Sequence, residues 1–267
     1  MIDTHAHLDG EEFADDINDV IARAHAAGVE KMFLPAICLK ELPHLLELCR
    51  QYPSCLYPMI GLHPENIMDD EYHNVLDKME QMLEEDHNAP MDNKPYGFIA
   101  VGEVGLDLYW DKTYKADQIE VFEKQIGWAK RYNLPLMIHC RDAHSELMQC
   151  MKQHYDDTLR GVFHCFTGTK EEALDLLSFT NFFLGIGGVS TFKKSTLPEV
   201  LSTAVPLSRI VLETDSPYMA PEPYRGKRNE SAFVRNVAEK LADIYNTTLE
   251  NVDAVTTANA VKLFLQK

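Results

Sequence analysis

The chain has no excess of basic residues: 25 Lys and Arg stand against 42 Asp and Glu, a formal net charge of −17. Tight non-specific binding to long nucleic acid comes mainly from Lys and Arg neutralising phosphates. The charge opposes that mode and leaves room for a site that meets one or two phosphates through bound cations. No apolar run reaches the roughly 18 residues of a membrane span, and no basic segment leads into an apolar stretch, so neither a span nor a signal peptide is expected. Six cysteines, Cys38, Cys49, Cys55, Cys140, Cys150 and Cys165, include no C-x-x-C pair in a chain that is neither short nor cysteine-rich. Reduced thiols and a cytoplasmic location are the expectation. No G-x-G-x-x-G follows the first candidate strand, which argues against an open nucleotide-binding sheet. No linker-like or low-complexity segment divides the 267 residues, of which 45% are hydrophobic and 25% charged. One domain over residues 1–267 is expected, since α/β barrels of about 250 residues routinely form one.

The acid is concentrated in runs: Glu11, Glu12, Asp15 and Asp16; Asp69, Asp70 and Glu71; Glu84, Glu85 and Asp86. All three read as solvated faces. Against this background, short β-rich apolar runs recur at Ile2–Leu8, Lys31–Ile37, Leu56–Leu62, Phe98–Val104, Pro135–His139, Gly161–Phe166, Phe182–Gly187 and Ile210–Thr214. Helix-period segments separate most of them: Glu12–Ala27, closed by Gly28, then Leu42–Gln51, Tyr72–Glu85, Asp117–Tyr132, Ala143–His154, Lys170–Ser178 and Leu197–Thr203. Two more helices, Ser231–Tyr245 and Leu249–Leu265, follow the eighth strand, and His87–Gly97 reads as a surface loop. Strand–helix alternation implies parallel βαβ units, and eight of them predict an α/β fold, a (β/α)8 TIM barrel with extra C-terminal helices.

Barrels of this kind carry their chemistry at the C-terminal strand ends. Polar residues accumulate there: His5 and His7, His63, Glu103 and Asp107, His139 and Arg141, His164, then Glu213 and Asp215. Side chains two apart on a strand share a face, so alternation pairs His5 with His7, Glu103 with Asp107, His139 with Arg141 and Glu213 with Asp215. Imidazole and carboxylate together suit a divalent transition ion. The set is too large for one tetrahedral ion and fits two ions about 3.5–4 Å apart. A lone strand-end histidine is as often structural as catalytic, which leaves His63 open. His25, His44, His73, His87, His144 and His154 fall in helices or loops and read as exposed. Cys140 and Cys165 each follow a candidate ligand and read as structural.

The segments Ile2-Asp3-Thr4-His5-Ala6-His7-Leu8, Gly61-Leu62-His63-Pro64, Gly102-Glu103-Val104-Gly105-Leu106-Asp107, Ile138-His139-Cys140-Arg141, His164-Cys165-Phe166-Thr167-Gly168 and Leu212-Glu213-Thr214-Asp215-Ser216-Pro217-Tyr218 occur in that order. Together they resemble the TatD-like metal-dependent hydrolases, TatD-type deoxyribonucleases of the amidohydrolase superfamily, over essentially the whole chain. One departure is Arg228-Asn229-Glu230-Ser231, where the family usually ends in Pro. The resemblance implies that His5, His7 and Asp215 hold one divalent ion, that Glu103 bridges to a second, and that His139 and His164 complete it. Zn²⁺, Mn²⁺ and Mg²⁺ all stay open as the ions. It further implies hydrolysis of phosphodiester bonds in DNA, usually 3′ to 5′ from single-stranded ends or short oligonucleotides.

In that reading Asp215 orients the nucleophile or accepts its proton. Glu213 is a further ligand or base, or the partner of a nearby Arg. His63 and Arg141 contact the scissile phosphate. Arg225, Lys227 and Arg228 grip a second phosphate, and Tyr109, Trp110 and Tyr218 either stack on a base or pack within their loops. An ester or amide hydrolase, for example a D-aminoacyl-tRNA deacylase, is the nearest alternative, because two cations activate water for carbon and phosphorus alike. A non-catalytic metal- or nucleic-acid-binding module is a more distant one. Neither a membrane nor an obligate protein partner is expected.

Overall fold

A computed structural model describes residues 1–68 and 71–266. Eight strands alternate with helices along it: β1 (Ile2–Asp3), α1 (Ile17–Ala26), β2 (Lys31–Pro35), α2 (Leu42–Gln51), β3 (Leu56–Met59), α3 (Tyr72–Asn88), β4 (Val101–Asp107), α4 (Lys115–Arg131), β5 (Leu136–Arg141), α5 (His144–His154), β6 (Gly161–Phe163), α6 (Lys170–Leu177), β7 (Phe182–Ile186), α7 (Leu197–Ala204) and β8 (Ile210–Leu212). Two C-terminal helices follow, α8 (Val234–Ile244) and α9 (Leu249–Ala260). This is the expected α/β alternation of a (β/α)8 chain. Among the described residues no helix is long and apolar enough to cross a membrane.

The chain groups into two compact units. One comprises Met1–Leu34, Ser54–Leu56 and Phe163–Lys267, the other Pro35–Pro53 and Tyr57–Val162. In the first, β1 runs parallel to β2, with Ile2 opposite Lys31, and β7 runs parallel to β8, with Gly185 opposite Val211. Thr4 N–H donates to Leu212 O at 2.9 Å, which sets β8 beside β1. In the second unit β4 lies parallel to β5, with Gly105 opposite His139. The bonds Ile99 N–H to Pro58 O and Ile60 N–H to Ala100 O, at 3.0 and 3.2 Å, join β3 to β4. The strand interiors are apolar on both faces, as parallel strands covered by helices require. Met32, Phe33 and Leu34 are fully buried in the first unit, and Val101, Val104 and Leu106 in the second.

The first and last strands are shorter than the apolar runs suggest: β1 stops at Asp3 and β8 at Leu212. His5, His7, Glu213 and Asp215 therefore lie just beyond their strand ends, whereas β4 and β5 run on through Glu103 and Asp107 and through His139 and Arg141. Gly28 closes α1 as expected, with φ +85° and its N–H on His25 O at 2.9 Å. The segment 87–97 is partly helical, since α3 continues to Asn88.

Two acidic runs need correction. Asp86 is buried, because the loop after α3 folds over it. Its carboxylate accepts from Tyr96 N at 2.9 Å and Gly97 N at 2.7 Å and pairs with Lys94 Nζ at 3.1 Å. Asp16 is bound by two arginines, Arg228 at 2.7 Å and Arg23 at 3.3 Å. Asp69 and Asp70 lie outside the described residues. None of the six cysteines is in a disulfide.

Candidate functional site

In the first unit three of the expected ligands form a small triangle. His5 and His7 follow β1, and their Nε2 atoms lie 3.2 Å apart. Asp215 Oδ1 stands 3.7 Å from Nε2 of His5 and 3.6 Å from Nε2 of His7. Zinc bonds of about 2.1 Å at tetrahedral angles separate ligand atoms by about 3.4 Å. The triangle thus has the dimensions of one face around a single divalent ion, and its donors are the kind such ions select. Two imidazole nitrogens turned on one carboxylate oxygen are poorly explained by hydrogen bonding alone.

The backbone brings these groups together through a buried carboxylate. Asp3 is fully buried and accepts from Thr214 N at 2.9 Å and Thr214 Oγ1 at 2.7 Å, so it ties the start of β1 to the segment after β8. Burial raises its carboxyl to about 7 against those hydrogen bonds. Asp215 adopts φ +55° and donates its N–H to His5 O at 2.9 Å. This left-handed turn breaks strand alternation and aims Asp215 at the two histidines. Burial alone would raise its carboxyl. The hydrogen bond from His7 and the charges of His164, His5 and His7 outweigh that and hold it below the ordinary carboxylate value. Asn229, fully buried, braces the same loop with Nδ2 bonds to Thr214 O at 2.8 Å and Tyr218 O at 2.7 Å.

Glu213 and Asp215 do not share a face, because β8 has already ended. Glu213 is fully buried, accepts from Cys165 N, and lies 3.5 Å from His164 Nδ1. Its ion-pair partner among the described residues is this histidine and not an arginine. Gly185 makes the space: a Cβ there would sit 2.1 Å from Glu213 Oε2. His164 in turn stacks on His5, with ring centroids 3.9 Å apart.

The second unit holds its own group. His139 on β5 lies between two carboxylates, Nδ1 at 2.9 Å from Glu103 Oε1 and Nε2 at 2.9 Å from Asp107 Oδ2. His63 Nε2 is 3.4 Å from the same Glu103 oxygen. One imidazole nitrogen facing a donor cluster while the other is held by a carboxylate is the usual support for a metal-bound histidine. Burial would raise Asp107, but the hydrogen bonds from His139 and Tyr109 N and the charges of His139 and Arg141 keep it lowered. Burial lowers the His63 imidazole against the opposing charge of Glu103. Gly105, at φ +142°, lets β4 pass close to His139, since a Cβ there would meet His139 O at 2.0 Å.

Two glutamines of α4, which sequence reasoning missed, hold this arrangement by its backbone. Gln125 Oε1 accepts from Leu62 N at 2.8 Å and its Nε2 donates to Leu62 O at 3.2 Å, next to His63. Gln118 repeats the pattern on Asp107, with bonds of 2.9 and 3.0 Å. Both are buried. Their spacing of seven sets them on one helix face, but nothing in a glutamine spacing tells its partner.

The candidate substrate residues are placed differently from one another. Arg141 lies over the Tyr109 ring, 3.8 Å from its centroid. Arg225 is exposed and stacks on Phe192 at 4.3 Å. Arg228 has its fork closed on Asp16 at 2.8 and 2.7 Å, so it is an anchor of the loop and not an open phosphate contact. Tyr218 is 58% exposed, with its ring 6.3 Å from that of His7. Ser231, the departure from the expected Pro, is buried at the start of a 3-10 turn, Ser231–Phe233. His25, His44, His73 and His87 are exposed on α1, α2 and α3, whereas His144 and His154 on α5 are half-buried.

Comparison with known proteins agrees with this chemistry. Residues 2–265 match the family described as TatD related DNase. A Bacillus subtilis protein named uncharacterized metal-dependent hydrolase YabD is 37% identical over 265 residues, covering 99% of this chain and 98% of its own length. The 3′-5′ ssDNA/RNA exonuclease TatD of Edwardsiella piscicida is 31% identical, covering 99% of each. Among solved structures, the TatD homologue YjjV of Escherichia coli superposes with a TM-score of 0.89 at 30% identity, covering 100% of this chain and 98% of the other. With the motifs, the fold and the ligand triangle in agreement with a match across nearly its whole length, the chain belongs to the TatD family of metal-dependent hydrolases.

Proposed function

We propose that this hydrolase is a 3′-5′ exonuclease acting on single-stranded ends and short oligonucleotides, DNA foremost. The observation that carries the reading is the His5–His7–Asp215 triangle, whose edges of 3.2, 3.7 and 3.6 Å fit one catalytic divalent ion. The naming of 31%-identical relatives as 3′-5′ ssDNA/RNA exonucleases supports the substrate class. His5, His7, Glu103, His139, His164 and Asp215 would hold two divalent ions, with Zn²⁺, Mn²⁺ or Mg²⁺ as candidates. When bound, such ions lower the pKa of water and offset the charge that develops at phosphorus.

The chain's own residues do the remaining work. Asp215, kept below the usual carboxylate value, stays ionised at neutral pH and accepts a proton at Oδ2. Asp107 holds the tautomer of His139, and the Glu213 carboxylate sets a buried negative charge 3.5 Å from His164 Nδ1. Glu213, fully buried against Cys165 N and His164, acts as a positioning residue. Arg141 meets a phosphate with its planar fork, and His63, oriented by the bond from Glu65 N at 3.2 Å, lies beside the Glu103 carboxylate.

The test is incubation with a 5′-labelled single-stranded oligonucleotide in Mg²⁺, Mn²⁺ or EDTA, alongside a Glu103→Ala variant. A ladder shortening from the 3′ end, lost in EDTA and in the variant, is expected. An intact oligonucleotide in every metal, with protein carrying bound ions, refutes the nuclease reading and directs attention to aminoacyl esters.

A further inference from the structure

Two adjacent aromatic side chains remain in water just beyond β4. Tyr109 is 49% exposed and Trp110 72%. Their rings meet edge to face, with centroids 4.6 Å apart at 84°. Loop packing, the plain alternative for such residues, does not account for an indole left so open. The pair is also not on a wandering loop. Tyr109 N–H donates to Asp107 Oδ1 at 3.0 Å, and the other oxygen of that carboxylate holds His139 Nε2 at 2.9 Å. One side chain thus fixes both a candidate ligand and the aromatic pair.

Arg141 completes the group. It ends β5, two residues after His139, and its guanidinium lies 3.8 Å from the Tyr109 centroid and 5.4 Å from that of Trp110. In a chain with a net charge of −17, an arginine stacked on rings, on which the Asp107 carboxylate acts only through its charge, is informative. Among the described residues its guanidinium enters no ion pair. Stacking fixes the plane of the fork and leaves the N–H edge for an anion. A flat apolar ring beside an anion-binding fork matches a nucleotide: every base has a π-face, and every base is followed by a phosphate.

We infer that Trp110 stacks on a nucleobase of the bound strand while Tyr109 holds Arg141 toward the adjoining phosphate. This rests on the nuclease reading and supplies its preference for single strands, whose bases are free to stack while those of a duplex are not. The ledge is sequence-tolerant, since stacking does not read hydrogen-bonding edges.

The experiment compares Trp110→Ala, Trp110→Phe and Arg141→Lys with wild type on two strands of equal length, an ordinary oligonucleotide and an abasic one with the same phosphates. Trp110→Ala should raise KM for the ordinary strand by roughly 5- to 150-fold, the range of one base–aromatic stack. It should leave kcat and the abasic strand unchanged, and Trp110→Phe should recover most of the loss. Arg141→Lys should raise KM on both strands alike. Trp110 also gives a direct signal, because the other tryptophan, Trp128, is buried. The ordinary strand should quench indole emission and the abasic strand should not.

Equal effects of Trp110→Ala on both strands, or none on either, overturn the ledge while the nuclease reading stands. A wild type that cleaves neither strand but shows base-dependent quenching overturns the nuclease reading and keeps the contact. Neither cleavage nor quenching overturns both.

Discussion

Replacing Gln125 with Leu tests how the second unit holds its histidines. The Gln125 amide pairs both with the N–H and the C=O of Leu62, at 2.8 and 3.2 Å, as a neighbouring strand would. Gln125 is 0% and Leu62 2% exposed, so water does not replace the lost partner. Leaving one buried polar group unpaired costs about 1–3 kcal/mol, and two cost about 2–6 kcal/mol. Burying an apolar side chain of similar size returns about 1–2 kcal/mol. The net loss expected for Gln125→Leu is about 1–4 kcal/mol. Gln118→Leu should lose a similar amount, because it strips the same two bonds from Asp107.

Seven residues of helix separate the two positions by about 10 Å, so the losses should add in the double variant to within about 0.5 kcal/mol. Gln125→Glu should fail as well, since a carboxylate accepts from Leu62 N but cannot donate to Leu62 O. The assay is equilibrium urea unfolding of the metal-free variants, which keeps metal linkage out of the comparison. A loss below about 1 kcal/mol with an unchanged m-value would show that the backbone finds other partners and that the glutamines are not clamps.

His5→Ala and Asp215→Asn should each lower bound divalent metal by one equivalent, measured by elemental analysis, with far-UV circular dichroism unchanged; full metal content in both would remove the triangle as an ion site. Arg23→Ala should destabilise by about 2 kcal/mol in thermal unfolding, because Glu230 is left buried without the bonds of 2.8 and 2.7 Å it now receives, whereas adding Glu230→Gln should recover part of the loss. The hydrogen bond from Arg228 lowers Asp16 to about 2, so its stabilisation is present above pH about 4 and lost as pH falls through about 2. Urea midpoints of Asp16→Asn should accordingly lie below wild type at pH 6 and converge with it near pH 2. Gly185→Ala should displace Glu213, whose Oε2 lies 2.1 Å from the added Cβ position, and should alter the visible spectrum of the Co²⁺-substituted protein through His164.

The sequence alone determined the alternation of strands and helices and the residue types at the strand ends. Both are local properties. Apolar runs bounded by turns report strands, and His-x-His, Gly-Glu-Val-Gly-Leu-Asp and Glu-Thr-Asp carry chemistry that few structural roles require. The family, the (β/α)8 class and the pairing of His5 with His7 followed from that level.

The tertiary structure decided where each polar group turns. Alternation paired Glu213 with Asp215, but β8 ends at Leu212 and Asp215 enters a left-handed turn, so the two part. Arg228 resembled a phosphate grip by composition, until Asp16, far away in sequence, closed its fork. Trp110 was equally readable as loop packing or as an open face, and burial settles that only once the fold is known. Asp3, Gln118, Gln125 and Asn229 were silent for the same reason. Each acts by pairing with backbone atoms distant along the chain, and a backbone atom has no letter in a sequence.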